Sequence, residues 1–416
     1  MESQVFQTLC SMMYNVLHIL FLLLFIYLSV NIAYLLFVSV AGLFSKKNPP
    51  SISDQKKRIA VLITSYKEDE VIVNTVRSAT EHNYPSDKFD VYLAADQLKP
   101  ATIEALKECD ADVSEVKFKA GSKARSLNFL LNKIDVEKYD IAIVLDGDNI
   151  MLPGFLEKIN SSFQEGFKSV QGHRSAKNSN TPVAILDGIS EEINNHLFRR
   201  AQRAVGFSSS LIGSGMAFEF STLRDIYNKP GILDNPACDR EVDFEMMKAG
   251  IIIEYRDDAV VLDEKVSSKD VFENQRRRWL ESQASHLKLF FSKKENIPHK
   301  NGNYWNKLFI NLSPPRIIFI GIFSLIFVIC ILQYITHSNI TGIEIQWWTL
   351  QFIAFLISMM IAIPTRFFKI STLRAFLYLP SILFSFIRAV FTMKSGRKEF
   401  VHTPKSFTEK TGSTDN

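Results

Sequence analysis

The chain has 416 residues, 47% of them hydrophobic and 22% charged, with 48 Lys and Arg against 44 Asp and Glu. The composition excludes wholesale disorder, and a formal net charge of +4 is too small to argue for nucleic acid. The charges are segregated: none falls between Ser3 and Ser45, between Ile317 and Thr341, or between Ile345 and Thr365. A bilayer span takes about 20 apolar residues, so these stretches predict an integral membrane protein and exclude simple soluble, secreted and nuclear readings. The stretch from Lys56 to Lys300 is charged normally and predicts a sizeable water-soluble part.

In chain order, residues 15–44 read as a retained transmembrane helix, too long for a signal-peptide core and lacking a basic start. Lys46, Lys47, Lys56, Lys57 and Arg58 follow it, so this flank faces the cytosol and the N-terminus lies outside. Asn48-Pro-Pro-Ser51 breaks the helix and serves as a linker. Arg58 to Thr64 is a β-branched run, the pattern of a buried parallel strand. Residues 70–82, 102–109 and 124–133 carry helical spacing, and 89–95 and 141–145 read as further strands. Strands alternating with helices predict an α/β, doubly wound, mostly parallel sheet, with ligands beyond the carboxyl ends of the strands.

After Trp279 the pattern turns amphipathic and predicts a helix in the membrane interface. Spans follow at 317–335 and 347–363, joined by an outward loop without Lys or Arg at 337–346; Arg366, Lys369 and Arg374 mark the return to the cytosol. The apolar segment 376–393 contains Pro380 and Arg388, and a full crossing would place the basic tail outside, so a re-entrant or interfacial segment is preferred. The expected organisation is a transmembrane helix (1–47), a linker (48–57), a cytosolic catalytic domain (58–270), interfacial helices (271–314), a C-terminal membrane region (315–394) and a cytosolic basic tail (395–416) whose last residues, 408–416, are expected to be disordered. Cys10, Cys109, Cys238 and Cys330 lack metal-type spacing and read as reduced.

Five constellations could carry chemistry. Asp146-Gly-Asp148 ends an apolar strand, where paired carboxylates suit a hard divalent cation and an Asp-Gly turn is the plain alternative. Tyr66 and Glu68 follow the first strand and Asp96 the next; in a doubly wound sheet they share a crevice with Asp146, although surface solvation explains Glu68 about as well. Lys123 and Arg125 open a helix, against its dipole, which makes sense facing a diphosphate or as a solvated basic turn. Asp239, Glu241 and Asp243 begin another helix, either complementing its dipole or supplying a general base for an acceptor hydroxyl. Gln275, three arginines ending in Arg278, and Trp279 open the interfacial helix. The arginines suit lipid headgroups, nucleic acid or a leaving diphosphate, and Trp279 offers a flat face for a sugar.

Taken in this order, the five constellations resemble the membrane-bound family 2 glycosyltransferases, the cellulose, hyaluronan and poly-N-acetylglucosamine synthases. The resemblance spans about Arg58 to Trp279 and the flanking helices. It implies a GT-A-type fold, a metal (Mg²⁺ or Mn²⁺) on Asp146 and Asp148, a nucleotide contact at Asp96, and a Gln-x-x-Arg-Trp signature at Gln275, Arg278 and Trp279. Tyr66, Glu68, Asp146 and Lys123 join the donor-binding set. The family's catalytic Glu-Asp pair is Cys238-Asp239 here; Asp239 takes the base position, with Glu241 and Asp243 as further candidates. Phe400-Val-His-Thr-Pro-Lys405 looks like the cytosolic tail of bacterial members. The implied activity is inverting transfer from a nucleotide-sugar, UDP-linked by preference, to a β-linked polysaccharide at the cytosolic face of the inner or plasma membrane. The alternative is non-processive transfer to a polyprenyl phosphate or lipid. The partners expected are the donor, a glycan acceptor, the lipid bilayer and export or accessory subunits, with no nucleic acid.

Overall fold

The computed structural model describes residues 2–45, 55–118, 121–235, 237–292, 295, 297, 300–392 and 405. Most of the linker and of the tail therefore lies outside the described residues, as do Lys46 and Lys47 and the segment 408–416. The chain opens with α1 (Glu2–Leu43), of which Ser11–Leu43 is long and apolar enough to cross a membrane. The soluble part runs β1 (Ile59–Tyr66), α2 (Ile72–Thr80), β2 (Phe89–Asp96), α3 (Pro100–Leu106), β3 (Asp112–Val116), α4 (Lys123–Lys133), β4 (Ile141–Asp146), β5 (Ile150–Met151) and α5 (Phe155–Gln164). It continues with β6 (Ser169–Ala176), α6 (Pro182–Asn195), α7 (Ala201–Ala204), β7 (Met216–Glu219), α8 (Phe220–Tyr227), α9 (Cys238–Lys248) and β8 (Ile253–Asp263).

The strands form one sheet in the order β3-β2-β1-β4-β7-β6-β8-β5. The first four are all parallel; β1, β2 and β4 are apolar runs covered on both faces, while β3, at the sheet edge, is polar and only partly buried. The core on one face joins Ile59, Val61 and Ile63 of β1 to Ile72 and Val76 of α2 and Phe155 of α5. On the other, Ala60 and Leu62 meet Leu127 and Leu131 of α4 and Val242 and Met246 of α9. The departures from a simple doubly wound sheet are β7, which runs antiparallel to both β4 and β6, and the short edge strand β5, which runs antiparallel to β8. Gly213 and Gly215 precede it at φ +94° and +60°, left-handed values that let the chain enter β7 from an irregular segment.

After the sheet come α10 (Lys269–Phe291), α11 (Gly302–Leu312), α12 (Arg316–Thr336), α13 (Ile345–Ala362), α14 (Ile370–Phe376) and α15 (Leu379–Phe391). Besides α1, both α12 and α13 are long and apolar enough to span, and α14 and α15 pass that test together with a 45° bend at their break. A third core joins Leu28, Ile32 and Leu35 of α1 to Leu186 and Ile193 of α6, Phe319 and Phe323 of α12 and Trp348 and Phe355 of α13. One expectation needs correcting. The arginine run does not open the interfacial helix; α10 starts at Lys269, where the Ser268 hydroxyl accepts from Val271 N and caps the helix, so Arg276 to Arg278 fall mid-helix.

Candidate active site

The parallel register sets the strand ends level: Thr64 pairs with Asp146 and Tyr66 with Asp96. Asp146 ends β4 with its side chain about one-third exposed and pairs with Lys123, the first residue of α4. The same ammonium donates to Gly213 O. Burial disfavours the Lys123 charge, but Asp146 above all, with Asp239, outweighs it and holds the ammonium above its ordinary range. Asp239 lies in the first turn of α9, close enough to Gly213 that a side chain there would touch its carboxylate at 3.4 Å. Arg278 of α10 completes the group: burial lowers its pKa, while Asp239 and Asp146 oppose that shift. Two carboxylates from different elements thus face two cations, an arrangement suited to holding an anion against a base.

Across Gly147 lies a second cluster. Asp148 is buried; its Oδ2 accepts from Glu264 N at 2.9 Å and from the Lys405 ammonium at 2.8 Å. Asn149 stands between Asp148 and Asp263, the last residue of β8. The Lys405 nitrogen is 4.0 Å from Asp263 Oδ1. Glu68 lies against Gly147, where any side chain would overlap its Oε2. Burial first, then Asp148 and Asp146, push the Glu68 carboxyl up to about 8.

Asp96 is buried at the end of β2, and burial raises its pKa. Its Oδ1 accepts from Gln97 Nε2 and Phe118 N, while its buried Oδ2 has no hydrogen-bond partner among the described residues. An orphaned acceptor of that kind suits a base imide. Tyr66 closes this end, its ring so near Gly121 that a Cβ there would sit 2.6 Å away. Gln275 of α10 likewise keeps a buried side-chain oxygen unpartnered among the described residues. Trp279 is half-buried with the Arg276 guanidinium over its ring.

Glu241 and Asp243 do not join the group. Residues two apart on a helix point away from one another, and the Glu241 carboxylate accepts from Asn235 Nδ2 at 2.7 Å beside His286. Asp243 is held by the buried Lys307 ammonium at 2.7 Å and by Leu211 N. Cys109, Cys238 and Cys330 are free thiols, and Cys238 packs against Tyr227. Sequence reasoning missed Asp263 and the place of Lys405. A signal for the first existed, since Val260-Val-Leu-Asp263 repeats the pattern of Ile143-Val-Leu-Asp146.

The sheet, with carboxylates gathered at the ends of its parallel strands, is that of the GT-A glycosyltransferases. The model of the family described as "Glycosyltransferase like family 2" matches residues 57–282, more than half of the chain, and the chain belongs to that family. It is a glycosyltransferase. A mannosyltransferase from Pyrobaculum calidifontis, in complex with GDP-Man and Mn²⁺, superposes with a TM-score of 0.54 at 15% identity, covering 88% of this chain and 96% of that one. Residues 1–349 of TarS from S. aureus give a TM-score of 0.43 at 13% identity, with 80% and 90% covered. Their complex with UDP-GlcNAc gives 0.41 over the same shares. No curated protein matches the chain.

Proposed function

We propose that the chain transfers a sugar, with inversion, from a UDP-sugar to a growing β-linked polysaccharide at the cytosolic face of the inner or plasma membrane. The observation that carries this reading is the convergence of Asp239, Asp146, Lys123 and Arg278 from α9, β4, α4 and α10 at the carboxyl ends of the parallel strands. Asp96 and Tyr66 form the nucleotide end, with the free Asp96 Oδ2 as acceptor for the base. Lys123 and Arg278 hold the diphosphate by charge-assisted hydrogen bonds.

The acidic cluster fits a hard divalent cation. Asp148 already holds one positive charge, the Lys405 ammonium, which also lies near Asp263. Among the described residues no three His, Cys, Asp or Glu side chains converge as a metal cage. That is compatible with Mg²⁺ or Mn²⁺, which commonly rests on one or two carboxylates plus substrate phosphates. Asp148 and Asp146 would hold it, and when bound it neutralises charge on the diphosphate.

The chain's own residues account for the proton. Asp239 takes it from the acceptor hydroxyl; the hydroxyl oxygen bonds to the anomeric carbon; the bond from that carbon to the diphosphate breaks, and UDP leaves with the electron pair. Trp279, the neighbour of Arg278, offers its ring to the acceptor sugar. Glu241 is left out because its carboxylate is turned to Asn235.

Purified enzyme in lipid nanodiscs tests this with a donor panel of UDP-sugars and GDP-mannose, followed by product sizing. Asp239→Asn is expected to lose about 10²–10⁴-fold in turnover, the range of a general base, and Asp148→Asn to abolish transfer. Near wild-type turnover removes that residue from the scheme. A product one sugar longer, on lipid, replaces the polymer with the non-processive reading.

A further inference from the structure

Of the three arginines in the middle of α10, Arg278 faces the diphosphate end, while Arg276 has a different setting. It is 7% exposed and its guanidinium lies 4.0 Å from the ring centroid of Trp279, one turn ahead, and 4.5 Å from that of Phe272, one turn behind. Residues three and four apart share a helix face, so α10 stacks Phe272, Arg276 and Trp279 along one line. One guanidinium nitrogen, Nη2, is paired with Asp187 of α6, itself 7% exposed. The Nε is buried and has no hydrogen-bond partner among the described residues. The guanidinium is therefore held by one carboxylate and two aromatic faces.

The carboxylate comes from a helix that is itself anchored. α6 presents Asp187, Ser190 and Asn194 on one face. Ser190 and Asn194 take the Arg316 guanidinium, with Nη1 donating to Asn194 Oδ1 at 2.7 Å and Nη2 to Ser190 O at 3.1 Å. Arg316 is the first residue of α12, a helix long enough to span the membrane. Through two arginines, α6 thus grips both the interfacial helix and a membrane helix.

We propose that Asp187 and Arg276 are a positioning pair that sets the ring of Trp279 at the angle needed to receive the acceptor sugar. The inference rests on the reading of Trp279 as the acceptor platform. A flat guanidinium stacks on an indole and takes a carboxylate at its edge at the same time, whereas the point charge of Lys cannot do both. Neither residue touches the reacting atoms; they act through Trp279.

The test uses the full-length enzyme in nanodiscs, with short β-linked glucose and N-acetylglucosamine oligosaccharides as acceptor probes. Arg276→Lys and Asp187→Asn are expected to raise the acceptor KM about tenfold, with a smaller change in kcat and with UDP affinity retained; Asp187→Glu restores much of the loss. The difference between wild-type and Trp279→Phe fluorescence isolates Trp279, and its acrylamide quenching is expected to rise in Arg276→Lys and Asp187→Asn. An unchanged acceptor KM and quenching in both variants, while Trp279→Ala raises the KM, overturns the positioning role alone. Equal losses of UDP affinity, kcat and thermal midpoint mark a purely structural pair and also overturn it. A Trp279→Ala enzyme with unchanged acceptor KM overturns the platform reading, and the pair with it.

Discussion

The ammonium of Lys405 lies 2.8 Å from Asp148 Oδ2, although 257 residues separate the two in sequence. Burial disfavours the charge on Lys405, but Asp148 and Asp263 outweigh it and hold the ammonium well above its ordinary range. A monovalent side chain thus occupies the carboxylate oxygen proposed above to hold a divalent cation.

The two cannot share one carboxylate oxygen without repulsion. Lys405→Met is expected to bind Mn²⁺ about tenfold more tightly, measured by calorimetry or by electron paramagnetic resonance of the free ion, without nucleotide. An unchanged affinity would show that Lys405 and the metal do not compete for Asp148.

Asp239 and Asp243 sit one turn apart on α9 and should fail differently. Removing the Asp243 carboxylate leaves the Lys307 ammonium, only 4% exposed, without its ion-pair partner. Asp243→Asn is expected to cost about 3–5 kcal/mol of stability, the toll of breaking a buried pair. Asp239→Asn should keep its thermal midpoint and lose turnover. A stable Asp243→Asn enzyme that binds UDP but does not transfer would make Asp243 the base.

Gly121 backs the Tyr66 ring so closely that a methyl group must push the ring aside. Gly121→Ala is expected to raise the dissociation constant for UDP about tenfold, with acceptor KM little changed, as read by calorimetry and initial rates. Unaltered UDP binding would remove Tyr66 from the nucleotide site.

His286, 4% exposed, gives a pH signature. Burial, then the neighbouring Arg240, lowers its pKa from 6.5 to about 3. Between those values the unfolded chain takes up a proton that the folded chain refuses. Stability from this group is therefore complete above about pH 6.5 and falls as the pH drops toward 3, with a slope of about 1.4 kcal/mol per unit. His286→Gln should flatten the fall in thermal midpoint between pH 6.5 and 5; an unchanged slope would assign it to other groups.

What the sequence made legible follows from how each element is buried. β1, β2 and β4 are covered on both faces and read as apolar runs, and the residues at their carboxyl ends, Tyr66, Asp96 and Asp146, were found with them. β6 was not, because its buried residues Gln171, His173 and Ser175 are polar and satisfied by tertiary partners such as Tyr255 and Glu192. β8 hides for a related reason: Arg256, Asp257 and Asp258 interrupt its apolar pattern, and Arg256 is fully buried against Asp258. α6 carries Asp187, Glu191 and Glu192 inward, against the usual pattern in which charged residues mark the solvated face of a helix. Lys405 could be recognised as part of a tail motif, but no periodicity connects it to Asp148.

The packing of α1 has a consequence for how the molecule is made. Ser39 Oγ donates to Ser358 O across 319 positions, and α1 shares its core with α6, α12 and α13. α1 must therefore wait for a partner synthesised 319 positions later, while the sheet can close in the meantime. Chains cut short before Ile345 would retain a finished sheet beside an unsealed helix bundle, ready targets for quality-control proteases.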